Sequence, residues 1–132
     1  MSHFLNVRTQ IREREHLITA LRDLHYRFQA SEREDLLVRG YQGNSARAEI
    51  VVDTGSEFDI GFQRRPDAYE VVADWWGVQK DTQIQQQTFI QQLNRQYSYN
   101  VIRDQAREQD MVLQEEREME NGDLVITLSE RG

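Results

Sequence analysis

Cysteine is absent from this chain, so disulfides, thiolate nucleophiles and cysteine-ligated zinc or iron–sulfur centres are excluded within it. No apolar run approaches the ~20 residues needed to cross a bilayer, and the opening MSHFLNVRTQ lacks the apolar core of a secretory signal. The expectation is a soluble protein with no membrane insertion that stays where it is made. Proline occurs once, at Pro66, and lysine once, at Lys80, so the other 15 cations are arginines. Arginine forks suit bidentate pairing with carboxylates inside a protein or across an interface. Also missing are a Gly-rich phosphate loop, a Gly-x-Ser-x-Gly elbow and a His-Glu-x-x-His helix. Net charge is −7, and an acidic surface repels nucleic acid and anionic lipid alike.

What remains is a chain of 132 residues with 38% hydrophobic and 30% charged residues, too apolar and aromatic to stay unfolded and of a length that fits a single domain. Charge is uneven along it. Five arginines face three acids up to Gln29, whereas the last 29 residues hold nine acids against three arginines.

Between Thr9 and His25 the apolar positions Ile11, Leu17, Ile18, Leu21 and Leu24 follow the period of an amphipathic helix, with Thr9 as a plausible N-cap. His16 and His25, nine residues apart, then fall on opposite faces and cannot share a metal. Short extended segments follow: Leu36–Tyr41, a turn at Gln42-Gly-Asn-Ser45, and Arg47–Val52 with Ala48, Ile50 and Val52 on one face. Phe58–Phe62 and Tyr69–Ala73 alternate in the same way, separated by a turn around Pro66. This pattern predicts a meander sheet with one apolar and one polar face, covered on one side only. From Asp81 to Glu108 helical spacing returns at Phe89 or Ile90, Leu93, Tyr97 and Val101, with seven glutamines between Gln83 and Gln96 lying mostly off that stripe. The fold class is therefore α+β, a single antiparallel meander sheet with two amphipathic helices packed on one face.

Near the end, Glu120-Asn-Gly-Asp123 signals a hairpin. A two-residue turn there puts Arg117 and Glu115 on the face of Ile126 and Leu128, and a one-residue shift brings Glu118 and Glu116 instead. The first arm reads as an edge strand or partly irregular.

The carboxylates Asp53, Glu57 and Asp59 cluster without the spacing of an EF-hand. Asp53-Thr-Gly55 matches an aspartic-protease triplet, a chemistry that needs two such lobes. His3 stands alone. No catalytic, cofactor-binding or metal-binding residue is assigned, and no cofactor is expected. Surplus aromatics instead suggest contact with a protein partner. Strand alternation through Tyr69, Val71, Ala73 and Trp75 sends Trp75 inward and leaves Trp76 outward, as an anchor. The competing reading ends the strand at Asp74 and tucks both rings beneath the Gly77 loop. On the second helix Tyr97 lies on the packed stripe and Tyr99 off it. Trp76, Tyr99, Tyr41 and Arg39 are the candidate partner-binding residues. The alternative is a small-molecule pocket between sheet and second helix, lined by Trp75, Tyr97 and Asp74.

Several segments taken in order resemble the hypothetical chloroplast reading frame 35 family, also called domain of unknown function 1257. They are Met1-Ser-His-Phe4, Ala20-Leu-x-Asp-Leu24, Val38-Arg-Gly-Tyr-x-Gly43, Ala48-Glu-x-Val51, Asp59-Ile-Gly-Phe62, Tyr69-Glu-x-Val-Ala-Asp74, Tyr97-Ser-Tyr99 and the Asn-Gly-Asp hairpin. The chain departs from the family in its closing Ser129-Glu-Arg-Gly132 and its glutamine-rich helix. The resemblance implies a cyanobacterial cytoplasm or a chloroplast stroma, supplies no catalytic residues, and suggests an accessory role beside an AAA-type ATPase system.

Overall fold

The structure, a computed structural model, describes residues 3–118 and 124–130. Its elements are β1 (Leu5–Arg8), α1 (Arg14–Asp23), β2 (Arg27–Ala30), β3 (Leu36–Arg39), β4 (Ser45–Ala48), β5 (Ile50–Asp53), β6 (Asp59–Arg64) and β7 (Tyr69–Ala73). They continue with α2 (Trp75–Asp81), α3 (Gln86–Glu108), β8 (Met111–Glu118) and β9 (Leu124–Glu130), and a 3-10 turn, Tyr41–Gly43, joins β3 to β4. The fold is α+β, as the hydrophobic periods require. An antiparallel sheet in the order β1-β7-β6-β5-β2 contains the expected meander β5-β6-β7 at its centre. The expectation of one sheet and two helices needs correction: β3-β4 and β8-β9 form two separate two-stranded sheets, and α2 is a third helix.

One face of the large sheet carries α1 and α3. Ile50, Val52, Ile60, Phe62, Tyr69, Val71 and Ala73 meet Leu17, Ala20 and Leu21 of α1 and Phe89 and Leu93 of α3 in the main core. The opposite face is covered too, against the expectation of a one-sided sheet. There β3-β4 lies across the sheet, burying Val38 and Ala48 on Val51 and Val72. The reason is legible in hindsight: Ile50-Val-Val52 and Val71-Val-Ala73 are continuous apolar runs, the mark of strands buried on both faces. The polar positions of β6 are buried by pairing rather than by water. Asp59 binds Arg39, and Gln63 donates to the Arg47 carbonyl at 2.8 Å and accepts from Asn6 at 2.8 Å. Gly61 makes the stacking possible, since a Cβ there would lie 2.4 Å from Val38 and 2.9 Å from the Ala48 Cβ.

Arg47–Val52 is likewise not one strand. The chain bends at Glu49, whose N–H donates to the Phe62 carbonyl at 3.0 Å, so Ala48 faces the second layer while Ile50 and Val52 face the first. Thr9 does not cap α1. Its hydroxyl donates to the Tyr69 carbonyl at 2.6 Å and accepts from the Ile11 N–H at 3.1 Å, and Tyr69 N–H in turn donates to the Ile11 carbonyl. This clamp fixes the start of β7 and delays α1 to Arg14. At the other end of α1, His25 adopts φ 65°, and the bonds His25 N–H to Arg22 and Tyr26 N–H to Leu21 close a Schellman motif.

Tyr26 packs edge-on against Phe89.

In the C-terminal sheet Glu118 pairs with Leu124 and Glu116 with Ile126, the shifted of the two registers considered from sequence. A bulge between Leu113 and Glu115 then brings Leu113 opposite Leu128. The Asn121-Gly122 turn itself falls outside the described residues.

Candidate interaction surface

The strand β7 ends at Ala73, and Asp74 starts a new helix: its Oδ1 accepts from the Gly77 N–H at 3.3 Å, satisfying one of the orphan donors of a helix N-terminus. The double tryptophan is therefore the first turn of α2, not the end of a strand. Successive helical residues are about 100° apart, which separates the rings. Trp75 is 5% exposed and packs on Phe89, while Trp76 is 48% exposed. The separation of core and surface ring expected from strand alternation is present, but a helix produces it.

Trp76 does not stand alone. Tyr41, 38% exposed on the 3-10 turn, meets it edge to face at 5.8 Å between centroids, and the Lys80 ammonium lies 4.6 Å from the Trp76 ring centre. Two close approaches hold this corner. Gly77 lies under the Phe58 ring, and Gly40 lies against the Phe4 ring. Arg39 is the third support. Its Nε and Nη2 take both oxygens of buried Asp59 at 2.9 Å each, its own backbone N–H joins them at 2.9 Å, and Nη2 also donates to the Ser56 carbonyl. The fork thus ties the β3 end to the start of β6 and positions the Tyr41 turn. Of the four candidate residues, Trp76 and Tyr41 are in contact, whereas the Arg39 fork is spent on Asp59 and Ser56. Tyr99 sits half-buried on α3 with the Arg103 guanidinium over its ring at 5.4 Å.

The residues considered as a pocket lining do other work. Trp75 is core, Asp74 is the α2 cap, and the Tyr97 hydroxyl accepts from the backbone N–H groups of Arg12 at 3.1 Å and Glu13 at 3.0 Å. Phe89, Leu93 and Val78 fill the space between sheet and helices. Asp53 is an exposed turn residue accepting from the Gly55 N–H, and among the described residues no group of three His, Asp or Glu side chains could hold a metal ion. No described helix is long and apolar enough to cross a membrane.

Sequence reasoning missed a second polar centre. Glu49, placed from its alternation on an outward face, is 4% exposed. Arg64 reaches it with Nε and Nη2 at 3.1 and 3.2 Å, Arg14 at 3.0 Å, and the Tyr69 hydroxyl donates to it in a short bond. Burial alone would raise the Glu49 pKa, but Arg64, Tyr69 and Arg14 outweigh it and hold the carboxyl below its ordinary range. Burial and the same carboxylate push the Tyr69 phenol up to about 12. A lone acid inside the apolar run Ala48-Glu-Ile-Val-Val52 was the available signal. His16 makes a third contact set, with Nε2 2.6 Å from Asp104 and Nδ1 2.6 Å from Glu13 without hydrogen-bond geometry, linking α1 to α3.

The chain matches the family model "Protein of unknown function (DUF1257)" over residues 20–127. It is 30% identical over 128 residues to "Uncharacterized protein ycf35" of Guillardia theta, covering 97% of this chain and 96% of that protein. It is 31% identical over 108 residues to "Uncharacterized protein ycf35" of Cyanophora paradoxa, covering 80% of this chain and 79% of that one. No solved structure matches significantly.

Proposed function

The chain belongs to the DUF1257 family, whose relatives bear the name of a hypothetical chloroplast reading frame, and we propose that it acts there as a non-enzymatic interaction module, an adaptor or accessory factor. The observation that carries this reading is the corner of Trp76, Tyr41 and Lys80. A half-exposed indole packed by the T-shaped Tyr41 and the Lys80 ammonium, on a helix turn capped by Asp74, has less side-chain entropy to lose on binding. Rigid aromatic groups of this kind are the usual anchors of an interface. The partner is a protein, an AAA-type ATPase system being one choice, met in a cyanobacterial cytoplasm or a chloroplast stroma.

The test is size-exclusion chromatography of native host lysate containing the tagged full chain, alongside Trp76→Ala and Tyr41→Ala variants. The module should elute in a larger complex, and either variant should shift it toward the free chain while its melting temperature stays within a few degrees of wild type. Elution as a free chain in every fraction, or a complex indifferent to both substitutions, would count against this function.

A further inference from the structure

At the far end of β7 from Trp76, the turn that follows β6 faces the segment leading into α1 across an open groove of about 490 Å³, lined by Arg12, Arg64, Arg65, Pro66, Asp67 and Tyr69 among others. Three guanidiniums line this groove of a chain whose net charge is −7. We propose that this groove is a binding site for a small phosphate monoester, its phosphoryl group taken by Arg12, Arg64 and Arg65.

Two of the forks are held from behind. Arg64 gives Nε and Nη2 to Glu49 and Tyr69, and its guanidinium lies 4.9 Å from the Tyr69 ring centre, which leaves Nη1 without a hydrogen-bond partner among the described residues. Arg65 is held by Glu34 at 3.1 Å and the Arg64 carbonyl at 2.8 Å, both through Nη1, by Gln63 at 2.6 Å through Nη2, and by its contact with Glu70 at 3.7 Å. A guanidinium has five N–H donors, so a carboxylate behind it fixes its plane without using it up. Arg12, exposed at the groove, has no side-chain partner among the described residues. Arg64 Nη1 and one Nη2 hydrogen of Arg65 remain as fixed single donors, and the exposed Arg12 fork supplies the bidentate contact with an oxyanion. A dianion gains from more than one fork, whereas a carboxylate is satisfied by one, which favours phosphate. The groove is of ligand size rather than ion size, and the exposed Pro66 ring offers an apolar wall for the organic part of the ester. Tyr69 stays protonated at neutral pH and adds no negative charge. Asp67 opposes binding and limits affinity.

The inference is independent of the interaction reading, because the five residues of β7 separate the two surfaces by roughly 16 Å. The test is a titration of the full-length, 15N-labelled protein with phenyl phosphate at constant ionic strength, read from amide and arginine side-chain resonances. Saturable shifts at Arg12 and across 64–69 are expected. Arg12→Ser, which breaks no side-chain contact, should weaken binding roughly tenfold, and Asp67→Asn should tighten it. Shifts reproduced by chloride, benzoate binding as tightly as phenyl phosphate, or an affinity unchanged in Arg12→Ser would each overturn the proposal.

Discussion

Gly77→Ala sets two effects of opposite sign against each other. Alanine is favoured over glycine in a helix by about 1 kcal/mol, which on local grounds predicts a stabilised α2. The tertiary contact says otherwise. A Cβ on Gly77 would lie 2.1 Å from Cε1 and 2.3 Å from Cδ1 of Phe58, against about 3.5–4.0 Å for an ordinary carbon contact. Phe58 is a buried core residue, so its ring cannot simply swing into solvent. Overpacking of this kind costs about 1–3 kcal/mol, and a clash on several ring atoms belongs at the upper end. The net expectation is a loss of about 1–2 kcal/mol, or about 3–6 °C in melting temperature for a chain of this length.

Thermal and urea unfolding of the two proteins, followed by circular dichroism, measure it. A Phe58→Leu background separates the terms. Removing the ring should let the helix propensity of alanine emerge, so that Gly77→Ala costs little or becomes favourable there, giving a coupling of about 1–3 kcal/mol in the cycle. Gly77→Ala as stable as wild type, or equally harmful with and without the ring, would refute the claim that ring contact requires glycine beside Trp76.

Other substitutions test the remaining contacts. Glu49→Gln removes a buried charge shared by Arg14 and Arg64, but these side chains are 23% and 51% exposed and can rehydrate, so the cost should fall to about 2 kcal/mol, below that of breaking a fully buried pair. Since the folded Glu49 pKa lies below its unfolded value, this contribution is present above the unfolded pKa and is lost as pH falls through the folded one; urea midpoints of variant and wild type should converge in acid. His16 behaves oppositely: burial lowers its pKa, yet Asp104 and Glu13 raise it on balance, with Arg103 and Arg107 also close to Asp104. Its stabilisation is complete below the unfolded histidine pKa and is lost as pH rises through the raised folded one, so the melting-temperature advantage over His16→Gln should be present in mild acid and disappear in alkali. His25→Gly, at the left-handed position closing α1, should raise stability by about 0.5–1 kcal/mol in urea unfolding, because glycine adopts that φ without a Cβ penalty.

How much of this was legible depends on which distance a residue acts over. The helical period of Leu17, Leu21 and Leu24, the meander β5-β6-β7 and the α+β class follow from local patterning, and the structure retains them. The second layer was not legible as a layer. Alternation placed Asp59 and Gly61 on a polar face, which reads the same whether the partner is water or a hairpin whose Arg39 supplies the bonds to Asp59. Only the continuous apolar runs of β5 and β7 distinguished the two. β2 has one apolar aromatic, Phe28, among polar neighbours, too little period for a strand to be read, and its pairing with β5 supplies what the pattern lacks. Glu49 carried no local sign of its two arginines because they come from α1 and the end of β6.

The same reasoning explains why the exposure of Trp76 was legible in the sequence and the proximity of Arg12 to Arg64 and Arg65 was not. An aromatic side chain advertises itself in composition, since burying or exposing one changes stability by kilocalories wherever it sits. An adjacent arginine pair and a third arginine far earlier in the chain advertise nothing until β7 is clamped to the Thr9–Ile11 segment and Arg12 is carried to the turn containing Pro66. That clamp is short and local: one hydroxyl and one N–H fix the segment on the strand. Breaking it with Thr9→Val should therefore loosen the groove while leaving the Trp76 corner in place, because Asp74, Gly77 and Phe58 hold α2 without it. Amide exchange in Thr9→Val checks this directly. Faster exchange confined to Ile11, Arg12 and Tyr69 supports two separately supported surfaces on one strand, and equal loosening of Gly77 and Val78 would show that the two ends of β7 are not separately held.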